Sequence, residues 1–330
     1  MKPSDIVLDI KNLSVEFKTV EGTVKAVNDL SYVLHKGEKL GIVGESGSGK
    51  SVSSLAIMQL IPNPPGEITE GQILYKDQDI RQKSEKEMQA IRGNEISMIF
   101  QEPMTSLNPI IKCGKQIAET LRLHRDLDKK QAMEEAIKMM KAVGIANAEV
   151  RAHEYPHQMS GGMRQRIMIA MALACRPQIL IADEPTTALD VTIQAQILDL
   201  IRDLNEEMGT SVLFITHDLG VVNELCDTVF VMYTGRIVEK ASVKDLFEKP
   251  LHPYSVGLLE AIPRISQDRD PLKTIDGMVP NPTEKIEGCS FWPRCPHATE
   301  ICKKDQPPMV QVTEDRHVRC WLYAAESQEG

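Results

Sequence analysis

Eight consecutive residues have the composition of a phosphate-binding loop: Gly44, Glu45, Ser46, Gly47, Ser48, Gly49, Lys50 and Ser51. They match every fixed position of the pattern G-x-x-x-x-G-K-[ST]. Small residues between a strand and a helix let successive backbone N–H groups surround a β-phosphate. Lys50 would add a point charge for the β- and γ-phosphates, and the Ser51 hydroxyl would ligate Mg²⁺. The loop therefore predicts a site for a nucleoside triphosphate with Mg²⁺.

Two adjacent carboxylates, Asp183 and Glu184, follow an apolar run that begins at Ile179. Asp183 is expected to bind Mg²⁺, through a water molecule, and Glu184 to polarise the attacking water as a general base. Taken alone, a carboxylate pair at the end of a buried strand is commonly structural. A phosphate loop in the same chain favours the catalytic interpretation.

Three further positions fit the same chemistry less specifically. Gln101 follows an apolar strand, and its amide could reach Mg²⁺ and the water, although an exposed polar residue is an equal alternative. Ser160 is a natural N-cap before Gly161 and Gly162, which leave helix N–H groups bare for a phosphate, or which simply begin a helix. His217 follows a strand whose carboxyl end is expected to face the nucleotide, whereas a lone histidine is usually structural.

The composition limits the classes of protein that the chain could represent. Its 330 residues are enough for more than one domain, and its apolar fraction of 42% suits a globular protein. No apolar run approaches the length of a membrane span or of a signal peptide, so the sequence predicts a cytosolic protein. A net charge of −9 argues against a general nucleic-acid partner.

Alternating strand and helix patterns predict an α/β fold with a largely parallel, twisted sheet. Apolar residues recur every three or four positions along Lys129–Val143, which indicates a helix packed in a core. The composition changes after Ile265, and the Pro- and Gly-rich segment Pro271–Pro282 resembles a linker to a small tail.

The tail contains four of the seven cysteines: Cys289, Cys295, Cys302 and Cys320. Four thiolates suit zinc or an iron–sulfur cluster, and their spacing does not choose between them. Unligated thiols are a third alternative. His297 and His317 lie nearby in sequence and are expected to be bystanders.

In this order and spacing, the motifs resemble the ATP-binding subunit of an ABC transporter over roughly residues 6–265. The resemblance assigns Gly44–Ser51 to the Walker A loop, Ile179–Glu184 to Walker B, Gln101 to the Q-loop, Ser160–Gly162 to the signature, Ala188–Asp190 to the D-loop and His217 to the switch histidine. Met163 stands where the signature usually ends in glutamine. The resemblance also implies an aromatic residue that stacks on adenine, for which Phe17 is the candidate and core packing the alternative.

More narrowly, the chain resembles the ATPase subunits of oligopeptide and dipeptide importers. Three features carry this resemblance: the segment Phe100–Pro109, the motif His252-Pro253-Tyr254 and the cysteine tail. It implies a [4Fe–4S] cluster on the four cysteines, with zinc as the alternative. Nickel or other small-solute importers share much of the pattern, and a soluble ABC ATPase or a small-molecule kinase fits it less well.

The family resemblance implies a P-loop NTPase core with an antiparallel β subdomain, an α-helical signature subdomain at about residues 102–165, and a Cys-rich C-terminal extension. We expect an ABC ATPase domain over residues 1–265 and the extension over residues 266–330. The implied partners are a second ABC ATPase subunit, expected to be a paralogue, two membrane permease subunits and an extracytoplasmic solute-binding protein. The implied location is the cytoplasmic face of a membrane.

Overall fold

A computed structural model describes residues 5–101, 106–187, 190–262, 274–284 and 286–324. The strands are β1 Ile6–Thr19, β2 Gly22–His35, β3 Lys39–Val43, β4 Gly66–Tyr75, β5 Gln78–Asp79, β6 Ile96–Ile99, β7 Ile179–Asp183, β8 Ser211–Thr216, β9 Thr228–Tyr233, β10 Arg236–Ser242, β11 Val310–Thr313 and β12 Arg316–Val318. The helices are α1 Lys50–Ile57, α2 Glu85–Ile91, α3 Cys113–His124, α4 Lys129–Ala142, α5 Ala148–Arg151, α6 Gly161–Leu173, α7 Val191–Met208, α8 Leu219–Leu225, α9 Val243–Glu248, α10 Pro253–Glu260, α11 Glu300–Lys304 and α12 Trp321–Ala324.

The chain folds into two compact units, each built from separate stretches of sequence. The first unit contains Met1–Val7, Leu34–Glu38 and Asp79–Phe214, and the second contains Leu8–Val33, Lys39–Gln78 and Ile215–Gly330. The division at residues 265 and 266 that the sequence suggested stays a prediction. Among the described residues, no helix has both the length and the apolar character needed to cross a bilayer.

In the first unit, β6 pairs parallel with β7, and α3, α4 and α6 pack against one another. Helix α4 begins at a capping box in which Asp128 accepts hydrogen bonds from the backbone of Lys130 and Gln131. Its apolar stripe is buried, with Ala132, Ala136 and Met140 fully inaccessible to solvent. The prediction that this stripe forms core is confirmed.

The second unit contains two sheets. Strands β2, β1, β4 and β5 lie side by side in that order, with β1 and β4 antiparallel. The part of the other sheet that lies in this unit has the order β11, β12, β10, β9, β3, and β3 pairs parallel with β9. This second sheet supplies the strand that leads into the phosphate loop.

The part of this sheet that the sequence patterns did not predict is antiparallel. A two-residue turn joins β9 to β10, with Thr234 at φ 41° and Gly235 at φ 81°. Both values are positive, as in the type I′ turns that join hairpin strands, and so short a loop allows only antiparallel pairing. Beyond β10, the C-terminal strands β12 and β11 continue the antiparallel pairing. The sheet therefore ends in strands that the tail itself contributes.

A buried ion pair fastens the C-terminal strands to β10. Glu239 has no exposed surface, and its carboxylate accepts hydrogen bonds from the backbone N–H groups of Leu251 (2.9 Å) and His252 (2.8 Å). Arg316 on β12 donates to the same carboxylate at 3.2 Å and also to the carbonyl oxygen of Lys249. Because the lone pairs of Glu239 are shared among three donors, its charge is compensated although it is buried.

We predict that Glu239→Ala lowers the free energy of unfolding by about 3–5 kcal/mol, because it leaves a buried guanidinium and two N–H groups without their acceptor. Denaturant unfolding followed by circular dichroism would measure the loss. Glu248→Ala, at an exposed pair with Lys244 (3.9 Å), is the matched control. It should cost at most about 0.5 kcal/mol. Equal effects of the two substitutions would contradict this role for Glu239.

Candidate nucleotide site and cysteine pocket

The predicted phosphate loop runs from the end of β3 to the first residue of α1, as the motif requires. Gly49 has φ 98°, and a Cβ at this position would meet the carbonyl oxygen of Ala26. Glycine is the residue that accepts both the positive φ and the close backbone approach. Ser46 and Gly47 at the tip of the loop are exposed, whereas Ser48 and Lys50 are buried.

Lys50 lies folded into this loop, with only 5% of its surface exposed. Its Nζ donates to the carbonyl oxygens of Gly44 (2.8 Å) and Glu45 (3.0 Å), and more weakly to the hydroxyl of Ser48 (3.5 Å). The ammonium group is therefore held at the centre of the loop, where the backbone carbonyls compensate its charge. A phosphate bound by the loop would meet a cation already in position.

In the first unit, β7 carries the two carboxylates at its end. All five residues of the strand are buried, and Asp183 is 4% exposed. Glu184 has φ 46°, which is uncommon for a residue with a side chain and indicates a constrained turn. Two neutral groups orient its carboxylate: the amide of Gln101 and the hydroxyl of Thr187 both donate to Oε2, at 3.0 and 2.9 Å. The structure thus brings together Gln101 and Glu184, which are 83 positions apart.

Ser160 occupies the N-cap of α6 and accepts a hydrogen bond from the backbone of Met163 at 3.3 Å. Ser160 and Gly161 are exposed, and a Cβ on Gly161 would meet nothing within 4 Å. The helix therefore begins at an exposed surface formed by Ser160 and Gly161, whereas Gly162 lies close to Ile193. The sequence did not single out Gln165, one turn along α6, which is buried and donates to the carbonyl oxygen of Pro185. This bond ties the helix to the turn that carries Glu184.

The remaining predicted positions take simple local roles. Asp190 caps α7 by accepting a hydrogen bond from Ile193 at 2.9 Å. His217 is exposed and follows β8 directly. Phe17 is half-buried in β1, opposite Gly66 of β4. Residues 102–105 of the Phe100–Pro109 segment, and Ala188 and Leu189 of the predicted D-loop, lie outside the described residues.

The four tail cysteines line one cavity of about 260 Å³ in the second unit. Its apolar wall includes Trp292, Trp321 and Leu322. His297 also lines the cavity, whereas His317 lies on β12 opposite Lys240 and Gln311. The tail therefore gathers its four thiols around a shared space, although they are spread over 32 positions.

Burial holds three thiols of this cysteine pocket in their neutral form. Burial, with a smaller contribution from neighbouring thiols, raises the pKa of Cys289 and of Cys320 to about 11, and burial also raises the pKa of Cys295. A metal or cluster would therefore have to displace protons on binding. Within the part of the chain that the structure describes, no three His, Cys, Asp or Glu side chains are grouped so that they could hold a metal ion.

A second set of residues that the sequence did not predict surrounds Glu45 in the phosphate loop. The backbone N–H of Glu45 donates to the hydroxyl of Tyr254 at 2.8 Å, and Arg294 forms a two-pronged ion pair with its carboxylate. His252 caps α10 by accepting a hydrogen bond from Tyr254 at 3.0 Å, and burial lowers the pKa of His252 to about 3, so the cap is neutral. The motif His252-Pro253-Tyr254 thus places a hydroxyl group on the loop.

Two family profiles match the chain. Residues 27–187 match the family described as "ABC transporter", and residues 238–302 match "Oligopeptide/dipeptide transporter, C-terminal region". The first range includes the phosphate loop, the carboxylate pair and the signature residues. The second includes the helix with Tyr254, together with Arg294 and three of the four tail cysteines.

Relatives of known name match almost the whole length. The oligopeptide transport ATP-binding protein AppD of Bacillus subtilis is 51% identical, over 98% of this chain and 98% of its own. The oligopeptide transport ATP-binding protein OppD of Escherichia coli is 50% identical over 96% of this chain and 94% of its own, and the dipeptide transport protein DppD of B. subtilis gives the same values. The chain therefore belongs to the family of ATP-binding subunits of oligopeptide and dipeptide ABC transporters.

A solved structure agrees on the cassette fold. A dimeric ATP-binding cassette in a post-hydrolysis state, bound to ADP and Pi, is 28% identical and superposes with a TM-score of 0.64 over 72% of this chain and 98% of its own. The ABC ATPase fold expected from the sequence is confirmed at this level. The predicted signature subdomain and Cys-rich extension stay predictions.

Proposed function

We propose that this chain is the ATP-hydrolysing subunit of a membrane importer for oligopeptides or dipeptides. The observation that carries the proposal is similarity over nearly the full length to ATP-binding proteins named for peptide transport, including the separate C-terminal region. The relatives reported above give no support to the alternative of nickel transport. We place the chain at the cytoplasmic face of the membrane, as a peripheral subunit.

In this proposal, the loop from Gly44 to Ser51 binds the ATP phosphates, with Lys50 as the fixed cation. Ser51 and Asp183 offer the hard oxygen donors that Mg²⁺ prefers, and Mg²⁺ when bound neutralises phosphate charge. Glu184 is the general base, and its orientation by Gln101 and Thr187 supports that role. His217 and Gln101 are catalytic residues that sense the γ-phosphate. Asp190 contributes to ATP binding, and Phe17 is the candidate for stacking on adenine.

The exposed start of α6 suggests how a second cassette takes part. Ser160 and Gly161 are exposed at the N-terminus of this helix, where backbone N–H groups of the first turn would donate to the triphosphate of a partner subunit. ATP would then favour the closed pair because it binds that state better, and hydrolysis would release it. We propose a paralogous ATPase as the partner, with two permease subunits and an extracytoplasmic binding protein completing the importer.

Glu184→Gln should keep ATP binding and slow hydrolysis at least about a hundredfold, because the amide cannot accept the proton of the attacking water. Phosphate release and binding of radiolabelled ATP by the reconstituted importer would measure the two effects separately. Glu207→Gln, an exposed position on α7, is the control and should leave both unchanged. Undiminished hydrolysis by Glu184→Gln would remove Glu184 from this role.

Ser160→Arg tests the shared site. It should leave ATP binding by the isolated chain unchanged. It should reduce hydrolysis by the assembled importer at least about tenfold, since it removes the N-cap and the bulk of the arginine side chain would keep the partner's phosphates from the N–H groups. Gly161→Ala adds a small group in open space and should have a much smaller effect. Loss of ATP binding by the isolated Ser160→Arg chain would contradict a site completed by two subunits.

We propose further that the cysteine pocket holds a [4Fe–4S] cluster. Four thiols around one cavity of about 260 Å³ fit such a group in donor number and in room. Zinc on the same four thiols is the alternative.

Protein purified without oxygen should therefore be brown and contain about four iron atoms per chain. Replacing Cys320 with serine should bleach the colour, while the same substitution at the buried Cys226, which lies outside the pocket, should not. Iron analysis, zinc analysis and visible absorption would be measured on the same samples. Folded, colourless protein with one zinc or with neither metal would refute the cluster.

A further inference from the structure

The phosphate loop contains a negative charge of its own. Glu45 is the second residue of the loop, and its carboxylate is 30% exposed. Two negative unit charges about 8 Å apart repel each other. At an effective dielectric constant near 20, this repulsion would weaken the binding of a triphosphate roughly 30-fold, or about tenfold with solvent screening. A carboxylate beside a triphosphate would therefore reduce affinity unless a cation compensated it.

Arg294 provides that cation. Its Nη1 lies 2.7 Å from one carboxylate oxygen of Glu45, and its Nη2 lies 3.2 Å from the other, which is the bidentate geometry of a guanidinium and a carboxylate. The arginine side chain is only 4% exposed. The pair therefore joins an accessible loop residue to a buried charge.

The guanidinium is fixed by its surroundings. Nε donates to the carbonyl oxygen of Asp276 at 3.1 Å, and the carbonyl oxygen of Ile275 lies 3.5 Å from Nη2. The group also lies over the rings of Tyr233 and Phe291, at 5.9 and 6.0 Å from their centroids. Because these contacts already orient the guanidinium, its ion pair with Glu45 costs little side-chain conformational entropy.

The same aromatic rings also reach the backbone of Glu45. Tyr254 packs against Tyr233 and Phe291, with centroids 4.6 and 5.4 Å away, and its hydroxyl accepts from the Glu45 N–H. The carbonyl oxygen of Glu45 in turn accepts from Nζ of Lys50 at 3.0 Å. The position of Glu45 is thus coupled to the position of the lysine in the loop.

We propose that Arg294 is a positioning residue for the nucleotide, which neutralises Glu45 and holds it in place so that the phosphate loop accepts a triphosphate. This gives the C-terminal segment, in which Arg294 precedes Cys295, a part in ATP binding that acts through Glu45. The inference rests on the proposed ATP site at residues 44–51. It assigns no contact with ATP to Arg294 itself.

The test compares MgATP affinity by calorimetry for the full chain and its variants. Arg294→Met should raise the Kd about tenfold, and less at high salt, because it exposes the triphosphate to an uncompensated carboxylate. Adding Glu45→Gln to this variant removes the charge, and the double variant should return to within about threefold of the wild-type Kd. Glu45→Gln alone removes the carboxylate and keeps the cation near the loop, so its Kd should be lower than that of the wild type.

Arg319→Met is the matched control. Arg319 is also a shielded arginine of the second unit. It pairs with Asp29 at 3.6 Å and donates to the carbonyl oxygen of Ile237 at 3.3 Å, so its replacement should leave the Kd unchanged. A wild-type Kd for Arg294→Met would overturn the proposal. So would a double variant as weak as Arg294→Met, which would mean that the arginine acts only through folding.

The single variant Glu45→Gln keeps the proposal testable if Arg294→Met does not fold, since tenfold weaker binding by Glu45→Gln would also overturn it. Lys50→Ala distinguishes this failure from failure of the proposed function. If Lys50→Ala binds MgATP as tightly as the wild type, then the loop is not the ATP site and the proposed function itself fails. If Lys50→Ala loses MgATP binding while Arg294→Met binds as tightly as the wild type, the ATP site is supported and the role proposed for Arg294 is refuted.

Discussion

The geometry of the phosphate loop answers to one constraint, which is that the buried ammonium group of Lys50 must be surrounded by acceptors. Lys50 is almost inaccessible to solvent, and a buried charge of this kind is tolerated only where oxygen atoms surround it. The carbonyl oxygens of Gly44 and Glu45 do so because the loop leaves β3, turns at its glycines and enters α1 within six residues. The strand, the turn and the helix therefore together direct these two carbonyl oxygens towards the ammonium group of Lys50.

In the first unit, hydrogen bonds orient a carboxylate rather than an ammonium group. A carboxylate proposed as a general base needs a fixed orientation. The amide of Gln101 and the hydroxyl of Thr187 donate to one oxygen of Glu184, so two neutral groups fix its orientation. The positive φ of Glu184 is a local cost of placing it there, of the kind that is common at functional turns.

Local patterns in the sequence predicted the strands and helices around these residues, because a phosphate loop, an apolar strand and an N-cap each occupy a few adjacent positions. They did not predict the antiparallel strands β10, β12 and β11, since the turn Thr234-Gly235 carries a short signal and pairing with the tail spans about 80 residues. Nor could they predict that Arg294 meets Glu45, 249 positions away, or that Arg316 meets Glu239. Long-range ion pairs depend on the finished packing, which no local pattern contains.

These long-range contacts change how the C-terminal segment should be understood. A tail that only carried a cysteine pocket would need one attachment, and β12 with Arg316 already supplies it. The second attachment, from Arg294 and Phe291 to Tyr233, Tyr254 and Glu45, ends in the phosphate loop rather than on the sheet. Cys289 and Cys295 flank this attachment, so Arg294, which holds Glu45, belongs to the same short segment as two thiols of the pocket. The structure therefore joins two sites that are far apart in the sequence through one short segment, residues 289–295.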